Sequence, residues 1–186
     1  MTNTIFTVLA VPVAIFLYGV YIYNNLIRKR NTVRNAWGDV EVFLQKRHDL
    51  VLNLVESVKS YQNFEKSVLE NVTQARSAGL RLKDPSREKF AAENALTLGL
   101  QGFFAVVENY PDLKASTVMQ EFQKQINDIE TSLAGARRYF NAAVKEYNNF
   151  IEVFPNFIIA NSFNFKTIDF FDAPESVEAV RLAKFQ

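Results

Sequence analysis

Arg47, His48 and Asp49 stand together as "RHD", and His48 is the only histidine among 186 residues. An imidazole between a guanidinium and a carboxylate is material for acid–base catalysis, provided the groups come within hydrogen-bond reach. The spacing opposes that use, because neighbouring residues of a helix point to different faces and cannot converge. Arg47 falls on an apolar helix face, where a buried arginine needs a carboxylate partner; Asp128, Glu130 and Glu146 are candidates across a bundle, with His48 left in solvent. The chain has no cysteine, which excludes disulfides and the usual Cys/His zinc sites, and no Glu-x-x-His pair offers a metal ligand set. No catalytic residue, metal ligand or cofactor is assigned, and the chain reads as non-enzymatic.

Two other groups of residues invite a role. Asp49, Asn53, Tyr139, Asn141, Tyr147 and Asn148 lie on or beside apolar helical faces, where polar side chains specify register. With Arg47 they are expected to form a polar network inside the bundle. The second group is aromatic. Of 17 phenylalanines, Phe154, Phe157, Phe163, Phe165, Phe170 and Phe171 crowd one stretch near the carboxy terminus. They either close the open end of a bundle or form an apolar surface for self-assembly.

The elements that must position these groups are few and long. Only 6 glycines and 5 prolines occur, which favours helices over many short strands. From Ile5 to Tyr23 there is no charged side chain, and about 20 apolar residues suffice to cross a bilayer. The run lacks the basic start and small-residue cleavage site of a secretory signal, so residues 1–27 read as a retained signal-anchor. Arg28, Lys29, Arg30 and Arg34 follow, placing residue 28 onward in the cytoplasm with the amino terminus outside. Tyr18, Tyr21 and Tyr23 suit the headgroup layer, so these seven residues form the expected membrane interface.

Beyond the cations an apolar seam in steps of three and four runs through Trp37, Val40, Leu44, Val51, Leu54 and Val58 to Tyr61, Val68 and Val72. No proline separates Pro12 from Pro85, so the anchor helix is expected to continue unbroken to about residue 78. Gly79 then suits a helix end, and Asp84-Pro85-Ser86 a turn and a new start. A second helix is expected over 86–109, and a third over 117–154, capped by Ser116 and stopped by Pro155. If residues 109–116 extend towards the membrane, helices one and three run parallel. The expected fold is all-α: three long helices in an elongated up-down, coiled-coil-like bundle over 28–154. An aromatic tail follows over 155–186, with one short helix at "NFIIANSF" and a polar end that is mobile or docks.

The blocks "YNNLIRKRNTVRNAW", "RHDLVLNLVESVKSY", "YPDLKAS", "ARRYFNAAVKEYN" and "FPNFIIANSFNFKTIDFF" resemble, in order and spacing, the LemA family of bacterial membrane proteins. The resemblance implies one amino-terminal span and an all-helical cytoplasmic domain. It implies no reaction, although some members are linked to membrane biogenesis. This chain has Leu52 where relatives usually have proline, so helix one should run straight there. It has Asn164 where relatives often have glycine, so that turn should differ.

A net charge of +1 gives no basic field for nucleic acid. The partner is lipid, and the expected function is a single-pass scaffold that forms homo-oligomers and organises or remodels the membrane. The rival is a monomeric adaptor that recruits a cytoplasmic protein through a distal loop carrying Arg81, Lys83, Arg87 and Lys89.

Overall fold

The computed structural model describes residues 2–59, 61 and 64–171, with side chains from Ala10 onward. It is all-α, with no strand among the described residues. The helices are α1 (Thr2–Lys59), α2 (Lys66–Arg81), α3 (Arg87–Val107), α4 (Pro111–Lys114), α5 (Thr117–Glu152) and α6 (Asn156–Ser162). The polar end of the chain, 172–186, lies outside the described residues.

Helix α1 is continuous past the basic cluster and through Leu52, but it stops at Lys59 and not near residue 78. No glycine or proline forces the stop. Weak local preference yields here to packing. Phe64 in the connection is buried, its ring 5.3 Å from Phe103 and 5.2 Å from Tyr110. The second part of the expected seam folds back as α2, which hides Leu69 and Val72. A single longer rod would leave that stripe without cover.

Two compact units result. The first comprises residues up to Ala36 together with Tyr139–Ile168, and the second comprises Trp37–Arg138 together with residues from Asp169 onward. In the second unit, Arg76 Nε donates to the His48 carbonyl at 2.7 Å, so α2 runs antiparallel to α1. A Cβ on Gly99 would touch Val72, and Lys89 reaches the Gly79 carbonyl, so α3 runs antiparallel to α2. Glu130 of α5 pairs with Arg47, while Arg137 lies over Phe171, which neighbours Trp37. Helix α5 therefore descends against α1. The expected parallel pairing is wrong, because α2 takes the return leg assigned to the second helix and residues 111–114 form α4 instead of an extended climb. The unit is a four-helix up-down-up-down bundle, with Leu50, Leu54, Leu96, Phe103, Met119 and Ile126 in one core. Ser86 and Ser116 cap α3 and α5 by accepting from the Lys89 and Met119 amides.

In the first unit α1 and α5 are again antiparallel: Lys29 Nζ lies 3.3 Å from Glu146 and over the Phe150 ring. Ile22, Leu26 and Val33 are buried on α1, and Phe140, Val144, Tyr147 and Ile151 on α5, at the three-four spacing of a seam. After Glu152 the chain turns through Val153, Phe154 and Pro155 into α6, which ends in a Schellman cap. The Phe165 amide reaches the Ala160 carbonyl at 2.9 Å and the Asn164 amide reaches Asn161 at 3.2 Å. Asn164 sits at φ 55°. The turn therefore adopts the left-handed conformation that glycine favours and that asparagine tolerates.

Candidate functional site

The second unit holds a buried cluster of charge. Arg47 of α1 is fully buried, and its Nη2 donates to Glu93 Oε2 at 2.5 Å and to the Glu93 carbonyl at 3.2 Å. Its Nη1 donates to Glu130 at 2.6 Å and to Thr97 at 2.7 Å. The other oxygen of Glu93 receives Lys89 Nζ at 2.8 Å and His48 Nε2 at 3.0 Å. Lys89 also closes the end of α2 at the Gly79 carbonyl, 2.8 Å away. Glu93 thus ties α1 to α3, Glu130 adds α5, and Lys89 adds α2.

His48 is buried, not solvated. The Glu93 carboxylate on α3 takes it in, because α2 and α3 cover a face of α1 that a three-helix reading leaves open. Burial pushes the Glu93 pKa up. The His48 hydrogen bond, the Arg47 charge and the Lys89 hydrogen bond more than reverse this and hold it at about 2, against an ordinary 4.5. A carboxylate with so low a pKa and both oxygens occupied is a poor general base. Arg137 is pressed down to about 10 by burial and then by Arg47, partly countered by Glu130 and Glu93. Its Nε and Nη2 have no hydrogen-bond partner, and the guanidinium rests 4.2 Å from the Phe171 centroid. Among the described residues, no group of three or more His, Asp or Glu side chains could hold a metal ion. The cluster braces helices.

The network expected from sequence is therefore differently composed. Asp49 is exposed and accepts from Gln45, Asn53 is exposed, and Tyr139 points outward at 56% exposure. They sit off the buried stripes, which are formed by Arg47, His48, Val51, Leu54 and Val55 on α1 and by Leu133, Phe140 and Val144 on α5. Asn141 is half-buried. Tyr147 and Asn148 act elsewhere, in the first unit. The Tyr147 hydroxyl donates to the Lys166 carbonyl at 3.0 Å, and burial raises its pKa. Asn148 pairs with the Ile168 backbone in both directions, at 2.9 and 3.0 Å. They fasten the segment after α6 to α5.

Glu93 and Arg137 were missed, and Lys89 was assigned to the adaptor loop instead. A signal was present: each of Arg47, Glu93 and Arg137 replaces an apolar residue in the three-four seam of its own helix, at Leu44–Val51, Phe90–Leu96 and Leu133–Phe140. Charges in three seams call for one another.

The residues expected at a membrane interface lie in the first unit. From Val11 to Tyr18 α1 is exposed on every side, and Tyr18 and Tyr21 are stacked at 6.2 Å. Tyr23 is half-buried against the Phe163 and Phe165 rings at 4.8 and 6.0 Å. Arg28 and Arg34 are exposed, and Arg30 lies over Phe165 at 5.0 Å. Of the six tail phenylalanines, Phe154, Phe157, Phe163 and Phe170 are exposed. Phe165 and Phe171 are buried and offer no assembly surface, because the cap of α6 turns one inward and Trp37, Phe90 and Arg137 enclose the other. The loop assigned to an adaptor is reduced as well: Lys89 is buried, and Arg87 pairs with Asp169. It lies at the Trp37 end of the second unit, opposite the Phe64–Tyr110 end.

Helices long and apolar enough to cross a membrane occur at α1 and at α3. Helix α3 turns Phe90, Glu93, Leu96, Leu100 and Phe103 into the bundle core, whereas the apolar part of α1 is bare. An exposed apolar amino-terminal helix joined to a charge-braced bundle defines a membrane-associated all-α protein. The sequence profile of the LemA family matches residues 36–185, so the chain belongs to that family, as its ordered blocks imply. It is 26% identical to Protein LemA of Metamycoplasma hominis, over 92% of this chain and 78% of that protein. It is also 22% identical to the Magnetosome protein MamQ of Magnetospirillum gryphiswaldense and 23% identical to Magnetosome protein MamQ 2 of Paramagnetospirillum magneticum. Each of these matches covers 80% of this chain and 64% of the relative, so the chain spans less than two thirds of the magnetosome proteins' length.

Proposed function

We propose that the protein is a non-enzymatic, single-pass membrane scaffold whose copies associate through outward bundle faces and organise or remodel the membrane. Its amino terminus lies outside and its bundle in the cytoplasm, in keeping with the cations Arg28, Lys29, Arg30 and Arg34 beyond the span. The carrying observation is the bare apolar stretch of α1, continuous in one helix with residues that build a bundle braced by Arg47 and Glu93. Membership of the LemA family and the likeness to Magnetosome protein MamQ agree with a place at a membrane. In-cell crosslinking combined with the mass of the detergent-solubilised protein tests this. Homotypic adducts and a mass above one chain support it, and a strict monomer at high concentration removes the assembly.

One observation favours the adaptor alternative. An open cleft of about 230 Å³ lies between Tyr61, Phe64 and residues 109–113 in the second unit. A heterologous protein crosslinked from Tyr61 or Tyr110, with no homotypic adduct, would replace the scaffold by this reading.

A further inference from the structure

The stretch from Val153 to Phe165 contains no Asp, Glu, Lys or Arg, although it forms a surface elbow between the end of α5 and the cap of α6. Its buried side is Asn156, whose amide donates to the Phe150 carbonyl, Ala160 and the terminal Phe165. Its outer side presents Val153 at 50%, Phe154 at 77%, Phe157 at 42%, Ile158 at 48% and Phe163 at 60% exposure. Five large exposed apolar groups within residues 153–163, with no charge among them, are not the surface of an element that faces water.

Position along α1 says what covers them. A Cβ on Gly19 would lie 3.9 Å from Ile159 Cδ1, and the Phe163 ring lies 4.8 Å from that of Tyr23. The elbow therefore sits at the level of Gly19–Tyr23, on the last turns of the uncharged run and before its first cation. One to two turns further along stand Arg28, Lys29 and Arg30. Lys29 covers Phe150 just before the elbow, and Arg30 covers Phe165 just after it. Bare apolar helix, then an aromatic layer, then cations is the order of acyl chains, interface and headgroups in one leaflet.

We propose that this elbow is a second membrane contact: an interfacial wedge that inserts Phe154, Phe157, Ile158 and Phe163 beside the span, into the leaflet whose headgroups meet Arg28 and Lys29. The proposal rests on the reading that α1 crosses a membrane, and it takes these phenylalanines away from contacts between copies. A wedge on one side of a single span enlarges the headgroup region of one leaflet only. That asymmetry gives each copy a bias towards curved membrane without requiring an assembled coat.

The absence of native cysteine makes the test direct. Single variants Phe154→Cys, Phe157→Cys and Ile158→Cys of the full chain are labelled with an environment-sensitive fluorophore. They are reconstituted in mixed phosphatidylcholine–phosphatidylglycerol vesicles, with Leu17→Cys reporting the span and Val118→Cys the bundle surface. A nitroxide near the top of the lipid acyl chains should quench the elbow labels several-fold more than the label at Val118, and aqueous iodide should quench them several-fold less. Elbow labels that behave like Val118, with Leu17 still quenched by lipid nitroxide, overturn the wedge and spare the span. If Leu17 also escapes the lipid quencher, the span itself is wrong. Shielding from both quenchers that weakens as protein is diluted in lipid assigns the surface to a second copy and overturns the wedge too.

Discussion

The two units of this protein solve opposite problems with the same seam. In the second, charge lies inside: Arg47, Glu93 and Lys89 are buried while four helices enclose them. In the first, the interior is apolar, as are the exposed residues of α1 from Ala10 to Tyr21 and the large exposed side chains of the α6 elbow, and Arg28, Lys29 and Arg30 follow along α1. A bundle in water needs a device that fixes which helix faces which, and a buried ionic group supplies one. On the reading proposed above, the first unit gains position from lipid at its surface, and its polar bonds tie down the segment after α6. What separates a braced bundle from a membrane-contacting unit is thus where the charges go, not how the helices are spaced.

The sharpest way to break this contrast is to unpair the brace. Glu93→Ala leaves Arg47, Lys89 and His48 buried without their shared carboxylate, and should cost about 3–5 kcal/mol. Denaturant melts of the full chain in detergent, followed by circular dichroism, would measure it. An unchanged midpoint would show that the cluster braces nothing. Acid acts on the same carboxylate more gently. The folded pKa of Glu93, about 2, lies below its ordinary 4.5, so its stabilisation is complete above pH 4.5 and is lost as pH falls towards 2. Over that window about 3 kcal/mol of stability should go. Glu93→Gln should flatten the profile between pH 5 and 2, and a slope equal to that of the parent would refute the assignment.

How much of this contrast could be read from the residues differs between the units. The anchor, its basic band and the starts of α3 and α5 follow from local chemistry: an uncharged run, and serines that accept from the third amide of a helix. The break of α1 at Lys59 was not legible, because "SYQNFEK" holds no breaker and the cause is a tertiary one, the burial of Phe64 against Phe103 and Tyr110. Missing that break removed one helix, reversed the sense of α5, and hid the pairing of Arg47 and His48 with Glu93. Glu130 was legible as a partner since it needs only two long helices that cross near Arg47. Tyr147 and Asn148 were recognisable as polar groups in a seam, but their partners are backbone atoms twenty residues on, which no spacing reveals.

Two substitutions sharpen the contrast at intermediate cost. A Cβ at Gly79 would lie 2.9 Å from both Glu93 Oε1 and His48 Cε1. Gly79→Ala should therefore push apart the groups that close the brace and cost about 1–3 kcal/mol, despite the helix preference of alanine. Thermal melts check this, and a stabilised variant would show that α2 can shift outward freely. In the first unit, Tyr147→Phe removes one hydroxyl that donates to the Lys166 carbonyl and should cost about 1 kcal/mol. Amide exchange should rise locally near Lys166 and Ile168. A rise spread over the second unit would mean that the two do not respond separately.

The smallest effect tests the elbow's shape. At Asn164 the Schellman cap requires a positive φ, turning Phe165 inward while Phe163 stays out. Glycine meets that conformation with no Cβ, so Asn164→Gly should be neutral or stabilise by a few tenths of a kcal/mol, whereas Asn164→Val should cost about 1–2 kcal/mol. The direction of the valine effect matters more than its size. Releasing the cap frees Phe165 from its place under Arg30, so the lost stability should appear with altered fluorescence of a label at Phe163 and without any change in the acid profile set by Glu93. If the valine variant instead shifts that acid profile, the cap of α6 and the brace of the bundle are one cooperative structure, and the contrast between a lipid-facing unit and a charge-braced one dissolves.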